Sequence, residues 1–380
     1  MSTVTKLKTV YDGCSDIRAA IKEEDSTLGM GSITTLSDDI RNINNRKYIW
    51  KWVNNNGTYK LQKEVNNTDN IAYQKFKSDQ SIKAIILPEN IKIIYSNAFQ
   101  DSSLEFINLK DITTVGDRAF LNANLVGTLH LLNATTISNY AFSGNSLVTS
   151  ILLPSVTTLT GSTWAAGGAF EGCTSLTNVQ LNDNLTSIGC RAFFGCTKLA
   201  SITLPSSLTS TDERVFQDCT ALSTIVLPEN LKSIGRNLFT NCTALTSITL
   251  PSNLVTFGIQ VFSGCTALTT INPINTSVIS GSLFNNCSAL QSVELSSNLT
   301  EIVNDSFRNC SALTTLIIHA ETVPTLDHTN AFSGTNSNLK IYVPYSSDHS
   351  ILNNYKTASN WSAYATKIFE LNEDGLIPTT

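Results

Sequence analysis

Apolar and polar residues alternate over short runs, and the pattern returns on a fixed beat. Between Leu222 and Cys242 the chain reads LSTIVLPENLKSIGRNLFTNC, with Leu222, Ile225, Leu227, Leu231, Ile234, Phe239 and Cys242 at its inward positions. Ile225 and Leu227 alternate with Thr224 and Val226, the period of a strand with one buried face. Pro228 follows, where a missing N–H does little harm, and Gly235 is expected to take the tight bend. The stretches Leu199 to Cys219 and Leu245 to Cys265 repeat the phrase. Phe marks the beat at Phe99, Phe120, Phe142, Phe170, Phe193, Phe216, Phe239, Phe262, Phe284, Phe307 and Phe332. The intervals are 21, 22, 28, 23, 23, 23, 23, 22, 23 and 25 residues. Units of this kind pack only on their neighbours and stack.

A repeat of this length predicts a leucine-rich-repeat solenoid, here about 11–12 units of ~23 residues over 81–344. The expected class is mainly β with short helices, the strands pairing in one parallel sheet along a curved rod about 50 Å long. One residue per unit then faces outward from the middle of the strand. That row is Ile86, Asn108, His130, Leu152, Gln180, Thr203, Val226, Thr249, Asn272, Glu294, Ile317 and Tyr342. It is mixed and nearly neutral, with no basic track for nucleic acid and no aromatic ladder for a long polysaccharide. A broad, weakly charged contact with protein or glycan fits it. From it, Asn108, His130, Gln180, Thr203, Thr249, Asn272, Glu294 and Tyr342 are candidate ligand-binding residues.

Departures from the beat add to this set. The long interval before Phe170 holds Thr160-Gly161-Ser162-Thr163-Trp164-Ala165-Ala166-Gly167-Gly168, and solenoid insertions bulge from one face. Trp164 either stacks on a sugar or partner, or folds back over the gap. Asn272-Pro273-Ile274-Asn275 should disturb its strand.

The chain before the repeats reads differently. Leu7, Val10, Cys14, Ile17 and Ile21 recur at three-four spacing, predicting an amphipathic helix over 4–24. A shorter helix is expected from about Leu36 to Ile43, with Ser37, Asp38 and Asp39 at its N-terminal end. Residues 1–45 either pack on themselves as a helical hairpin or form an attachment and oligomerisation module, with Leu7, Val10, Ile17 and Ile21 as its contacts. Residues 46–80 are placed to cap the first coil. In them KYIWKWV and TYKLQKEV flank Asn54-Asn55-Asn56-Gly57, a hairpin signal. Trp50 and Trp52 share one strand face, opposite Ile49, Lys51 and Val53. The Trp pair is either a carbohydrate platform or a packing surface for an adjoining domain. A short helix is expected over Ile71 to Lys77.

Of the nine Cys, Cys173, Cys196, Cys219, Cys242, Cys265, Cys287 and Cys310 each follow a ladder Phe by three residues. They should form one interior column, where free Cys acts as a small hydrophobe. Coils about 4.8 Å apart come within disulfide range, but side chains in a column point the same way, so reduced thiols are expected. Cys14 and Cys190 fall outside the column. The 14% of charged residues and net charge of −5 give no reason to expect nucleic acid or an anionic membrane as partner. No apolar run approaches the ~18 residues of a bilayer span. The N-terminal residues lack the apolar core of a signal peptide, and ordinary secretion is not expected.

The units resemble the BspA-like leucine-rich-repeat family. Ser247-Ile248-Thr249-Leu250-Pro251, Leu185-Thr186-Ser187-Ile188-Gly189, Ala192-Phe193 and Gly195-Cys196-Thr197 carry the likeness almost letter for letter. The tail resembles the closing segment of such proteins. That implies a helical C-terminal cap over 345–380, with a helix from about Ser350 to Lys367 covering the last coil through Tyr355, Trp361, Tyr364 and Ile368. The resemblance implies adhesion and protein or glycan binding, on exported surface proteins, rather than catalysis. The phrases TKLKTVYDGCSDIRAAI and LSDDIRNI resemble N-terminal helical modules of structural proteins from gut phages. This second likeness implies a virion protein, made without a signal peptide and joined to other virion proteins through residues 1–45.

Catalytic signatures are missing: no His-Glu-x-x-His, no G-x-S-x-G, no Gly-rich phosphate loop followed by Lys. His319, Glu321, Asp327 and His328 lack the spacing of a metal site. No cofactor or metal is expected. The reading is a non-enzymatic phage virion (tail or surface) protein that binds host-surface protein or glycan through its solenoid. The alternatives are a bacterial cell-surface adhesin and an intracellular interaction scaffold.

Overall fold

The computed structural model describes residues 48–55, 58–66, 68–159 and 167–378. The expected helices over 4–24 and 36–43, with Leu7, Val10, Ile17 and Ile21, lie outside the described residues.

Each coil gives two short strands, and neighbouring coils pair in parallel. The first arises where Ile alternates with polar residues. Thr224–Val226 buries only its central Ile225 and pairs with Ser201–Thr203 in the register Ser201↔Thr224, Ile202↔Ile225, Thr203↔Val226. The second strand has two residues and comes from the Ser-Ile step of the repeat, as in Ser187–Ile188 and Ser233–Ile234. These second strands form a nine-stranded run from Asn70–Ile71 to Thr256–Phe257, followed by Val278–Ile279, Glu301–Ile302 and Thr325–Leu326.

The remaining side of each coil is a turn that bonds to the next coil. The Phe99 N–H donates to Ala119 O (2.7 Å), Phe120 to Ala141 O (2.7 Å) and Phe142 to Ala169 O (2.8 Å). The residue two places after the ladder Phe always has a positive φ. Ser78, Asp101, Asn122, Asp218, Asn241, Asn286 and Asn309 fill it with φ between 53 and 62°. Gly144, Gly172, Gly195, Gly264 and Gly334 fill it otherwise. Gly, Asn and Asp are the residues that enter the left-handed region most readily, which explains why they fill every such position except Ser78. Gly235 does not take a left-handed bend. A Cβ added to it would lie 2.3 Å from Asp212 O, so coil-to-coil approach, not φ, requires the glycine.

Inside the turn the Phe rings stack along the whole solenoid, with adjacent centroids 5.0 to 5.9 Å apart. The stack begins at Phe76, one coil earlier than expected. Residues 71–77 are therefore not a helix. Asn70–Ile71 is a strand, Phe76 is buried under Phe99 at 5.1 Å, and the Phe76 N–H donates to Ala98 O.

Both ends of the row of first strands are extended by other chain segments. Tyr48–Asn55 and Thr58–Val65 form an antiparallel hairpin, and the former pairs antiparallel with Ile82–Ile86. At the other end Ile368–Glu370 runs parallel to Lys340–Val343. The tail is not one helix from Ser350 to Lys367. An α-helix spans Ser350–Thr357 and a 3-10 helix Trp361–Lys367. Asn360, with φ 63°, breaks them apart because its amide donates to Leu326 O (2.8 Å) and Asp327 O (3.2 Å) of the last coil. Ile368, expected to help cover the last coil, lies in the added strand and is buried there. Tyr355 and Trp361 are fully buried. The Tyr355 hydroxyl donates to Ala320 O (2.7 Å), Trp361 Nε1 to Pro324 O (2.8 Å), and the Tyr364 ring meets Phe332 edge-on at 5.2 Å.

Candidate binding surface

The outward row exists as lines of residues paired across parallel strands. His130, Leu152 and Gln180 are in register, as are Thr203 and Val226. Glu294, Ile317, Tyr342 and Phe369 form a third line. Gln180, Thr203, Val226 and Thr249 are exposed; His130, Leu152, Glu294 and Ile317 are half-buried. Val226, in the row but outside the candidate set, is 79% exposed. Its outward phase between Ile225 and Leu227 was the signal for it.

Three candidates are not open surface. The Asn108 side chain folds back onto the preceding coil: its Oδ1 accepts from the Leu87 N–H (2.6 Å) and its Nδ2 donates to Leu87 O (2.9 Å). Asn272 does the same with Leu250, at 2.7 and 3.1 Å. Each amide completes the ladder where its own strand has ended, at Ile107 and Ile271. Tyr342 is buried beside Phe369, 6.1 Å between ring centroids. Trp164 lies outside the described residues. At the insertion's far end, a Cβ on Gly168 would sit 1.8 Å from Arg191 O. Beside it Arg191 Nε donates to Glu171 Oε2 (3.0 Å), and the guanidinium lies 4.1 Å from the Phe194 ring centroid.

Glu294 is engaged with His319, Oε1 to Nε2 2.7 Å. His328 Nδ1 accepts from the Asn330 N–H (3.0 Å) and caps the 3-10 helix Thr329–Phe332. Among the described residues no three His, Cys, Asp or Glu side chains converge as metal ligands.

The seven column cysteines are free and buried. Each thiol donates to the carbonyl of the ladder Phe one coil back, from Cys173 on Phe142 O (3.5 Å) to Cys310 on Phe284 O (3.1 Å). Burial pushes the Cys173, Cys219 and Cys265 thiols up to about 12, which leaves no thiolate for nucleophilic chemistry at neutral pH. The column continues in other residues. Asn145 stands three places after Phe142, fully buried, with Nδ2 donating to Phe120 O and Phe142 O (both 2.7 Å) and Oδ1 accepting from the Leu125 N–H (2.9 Å).

The repeat can now be matched to known proteins. The family model for the BspA type leucine rich repeat region matches residues 55–166, 166–278 and 268–356, in six copies. The chain belongs to the BspA-type leucine-rich-repeat family. Among solved structures it is similar to a leucine-rich repeat protein from Bacteroides ovatus, with 19% identity, 86% of this chain and 98% of that chain covered, and a TM-score of 0.49. A leucine rich cell surface protein from Faecalibacterium prausnitzii is 25% identical, with 82% and 97% covered and a TM-score of 0.48. No curated protein matches. In this BspA-type chain the outward row is exposed at Gln180, Thr203, Val226 and Thr249.

Proposed function

We propose that the chain is a non-enzymatic binding protein that engages protein or glycan on a cell surface through its outward strand row. The observation that carries this is the exposed stretch Gln180, Thr203, Val226 and Thr249, set on coils whose Phe and Cys residues are spent on the interior. A neutral face with an exposed valine at its middle suits a broad contact of low charge. Its proposed setting is a phage virion, as a tail or surface protein held to other virion proteins through residues 1–45. The resemblance of that segment to phage structural modules supports this setting.

The test is whole-cell binding and a glycan array with the full chain and with a Thr203→Arg/Val226→Arg/Thr249→Arg variant. Binding that the variant loses supports the reading; equal binding by both removes the row from consideration. Antibody against the chain that labels purified phage particles supports the virion setting. Labelling of intact bacterial cells alone moves the protein to the adhesin reading.

A further inference from the structure

The row of second strands runs unbroken from Asn70–Ile71 to Thr256–Phe257 and then stops. One coil on, Val278–Ile279 pairs only forward, with Glu301–Ile302. Among the described residues this is the one break in that row. At the interface before it the Val255 N–H donates to Lys232 O (3.0 Å) and the Gly258 N–H to Ile234 O (2.8 Å). At the interface after it the Thr300 N–H donates to Ser277 O (2.7 Å) and the Val303 N–H to Ile279 O (2.9 Å). The matching amides of the coil between, Ser277 and Ser280, make no such bond to Val255 or Phe257. One hydroxyl joins that side, Ser280 Oγ donating to Gly258 O (2.7 Å).

The other two sides of the same interface are closed. The first strands pair in the register Ser247↔Thr270 and Ile248↔Ile271, and the Asn272 amide extends them onto Leu250. On the turn side the Phe262 N–H donates to Leu283 O (3.0 Å), and the two ladder rings stack at 5.5 Å.

The sequence shows why one side parts. The interval from Phe262 to Phe284 is 22 residues, between intervals of 23. Thr276 stands where the adjoining coils bury Leu254 and Leu299, and its hydroxyl turns to Val278 O of its own coil (3.1 Å). Phe257 replaces the Ile of the Ser-Ile step, is half-buried, and meets Phe262 edge-on at 6.1 Å. Beside it Val255 and Ile259 are 64 and 40% exposed, where the preceding coil has Lys232 and Arg236.

We propose that this seam is a hinge between two rigid lengths of rod, the coils up to Ala267 and those from Leu268 onward. The first strands and the ring stack hold the two lengths together while the second-strand side opens and closes. Opening breaks one side-chain hydrogen bond and no strand pair, and a few element-terminal residues absorb the change, as hinges do. The exposed outward residues Gln180 to Thr249 lie on one length and the line Glu294, Ile317, Tyr342 and Phe369 on the other. The hinge sets the angle at which these two surfaces meet a partner.

The test is the distance between two spin labels in the full chain carrying Cys14→Ser, whose remaining native cysteines are all buried. Lys232→Cys with Thr300→Cys straddles the seam. Thr186→Cys with Val255→Cys lies the same number of coils apart within the first length. All four positions are exposed and directly precede a second strand. The straddling pair should give a distance distribution about twice as broad; equal widths overturn the hinge. Amide exchange on the unaltered chain is the second measurement. Ser277 and Ser280 should exchange about tenfold faster than Thr300 and Val303, and equal protection would mean a closed seam and overturn the proposal. Neither readout depends on what the outward row binds.

Discussion

The coils before the insertion and those after it are built on one plan with different interiors. From Phe76 to Phe142 the ladder rings are 5.0 to 5.1 Å apart, and the position three residues after Phe holds Asp79, Ser102, Ala123 and Asn145. From Phe170 to Phe262 the rings are 5.8 to 5.9 Å apart and that position is always Cys. The separation widens where sulfur fills the column. The Asn145 amide holds the carbonyl one coil back at 2.7 Å, whereas Cys196 and Cys219 hold theirs at 3.4 and 3.2 Å. The position is not particular about sulfur: Ser102, Ala123 and Asn145 fill it buried, and Asp79 and Thr335 fill it half-buried. Ser102 Oγ is buried with no bonded partner among the described residues, and Ala123 has no side-chain donor.

The comparison can be broken first at the rings. Phe120→Ala and Phe216→Ala should each cost about 3–5 kcal/mol. The closer ring contacts around Phe120 should add about 0.5–1.5 kcal/mol to its loss. Urea midpoints measure both, and a larger loss at Phe216 would show that ring separation does not set the stacking energy. Next is Asn145→Ala, which orphans the Leu125 N–H among buried groups and should cost about 1–3 kcal/mol. Asn145→Cys keeps a donor for Phe120 O, should cost less, and in a crystal structure should open the Phe120–Phe142 spacing toward that of the central coils. A third test is chemical. Because burial raises the column thiols, a maleimide should label none of them at pH 8 until the solenoid unfolds. Rapid native labelling, read by mass spectrometry, would contradict a closed column.

The smallest effect is electrostatic. Asp212 stands in a central coil where an N-terminal coil has Gly116 and the next coil has Gly235. Burial, aided by the Glu213 charge, pushes its carboxyl up. The folded state therefore disfavours the charged form, and its relative stability falls as pH rises through that raised value. Asp212→Asn should raise the melting temperature slightly at pH 7. The gain should vanish as pH falls below the ordinary carboxylate range, where Asp212 is neutral in both folded and unfolded chains. A gain that persists at low pH would point to packing instead.

Much of this was legible in the chain. The Phe beat and its Cys companion gave the coils, their length and the inward column, because a period of ~23 residues leaves one way to stack them. Phe76 was missed although it lies one period before Phe99, since Ile71 to Lys77 lacks the strand phrase that precedes every later Phe. Asn108 and Asn272 occupy the same outward phase as Thr203 and Thr249. Alternation cannot separate an amide that turns back to the coil before it from a hydroxyl that stays in solvent, because the difference lies in how far the strand continues. The tail's helical spacing ran straight through Asn360, whose bonds to the last coil are tertiary.

The coil-to-coil bonding has a consequence for the gene. Leu199 to Ala221, Leu222 to Ala244 and Leu245 to Ala267 are consecutive 23-residue units that meet their neighbours through the same Phe ring, the same thiol and the same backbone bonds. Excising Leu222 to Ala244 would bring Leu245 onto Ala221 and let the Cys265 thiol reach Phe216 O in place of Phe239 O. Recombination between such near-copies can therefore shorten or lengthen the rod by whole coils while both caps remain as they are.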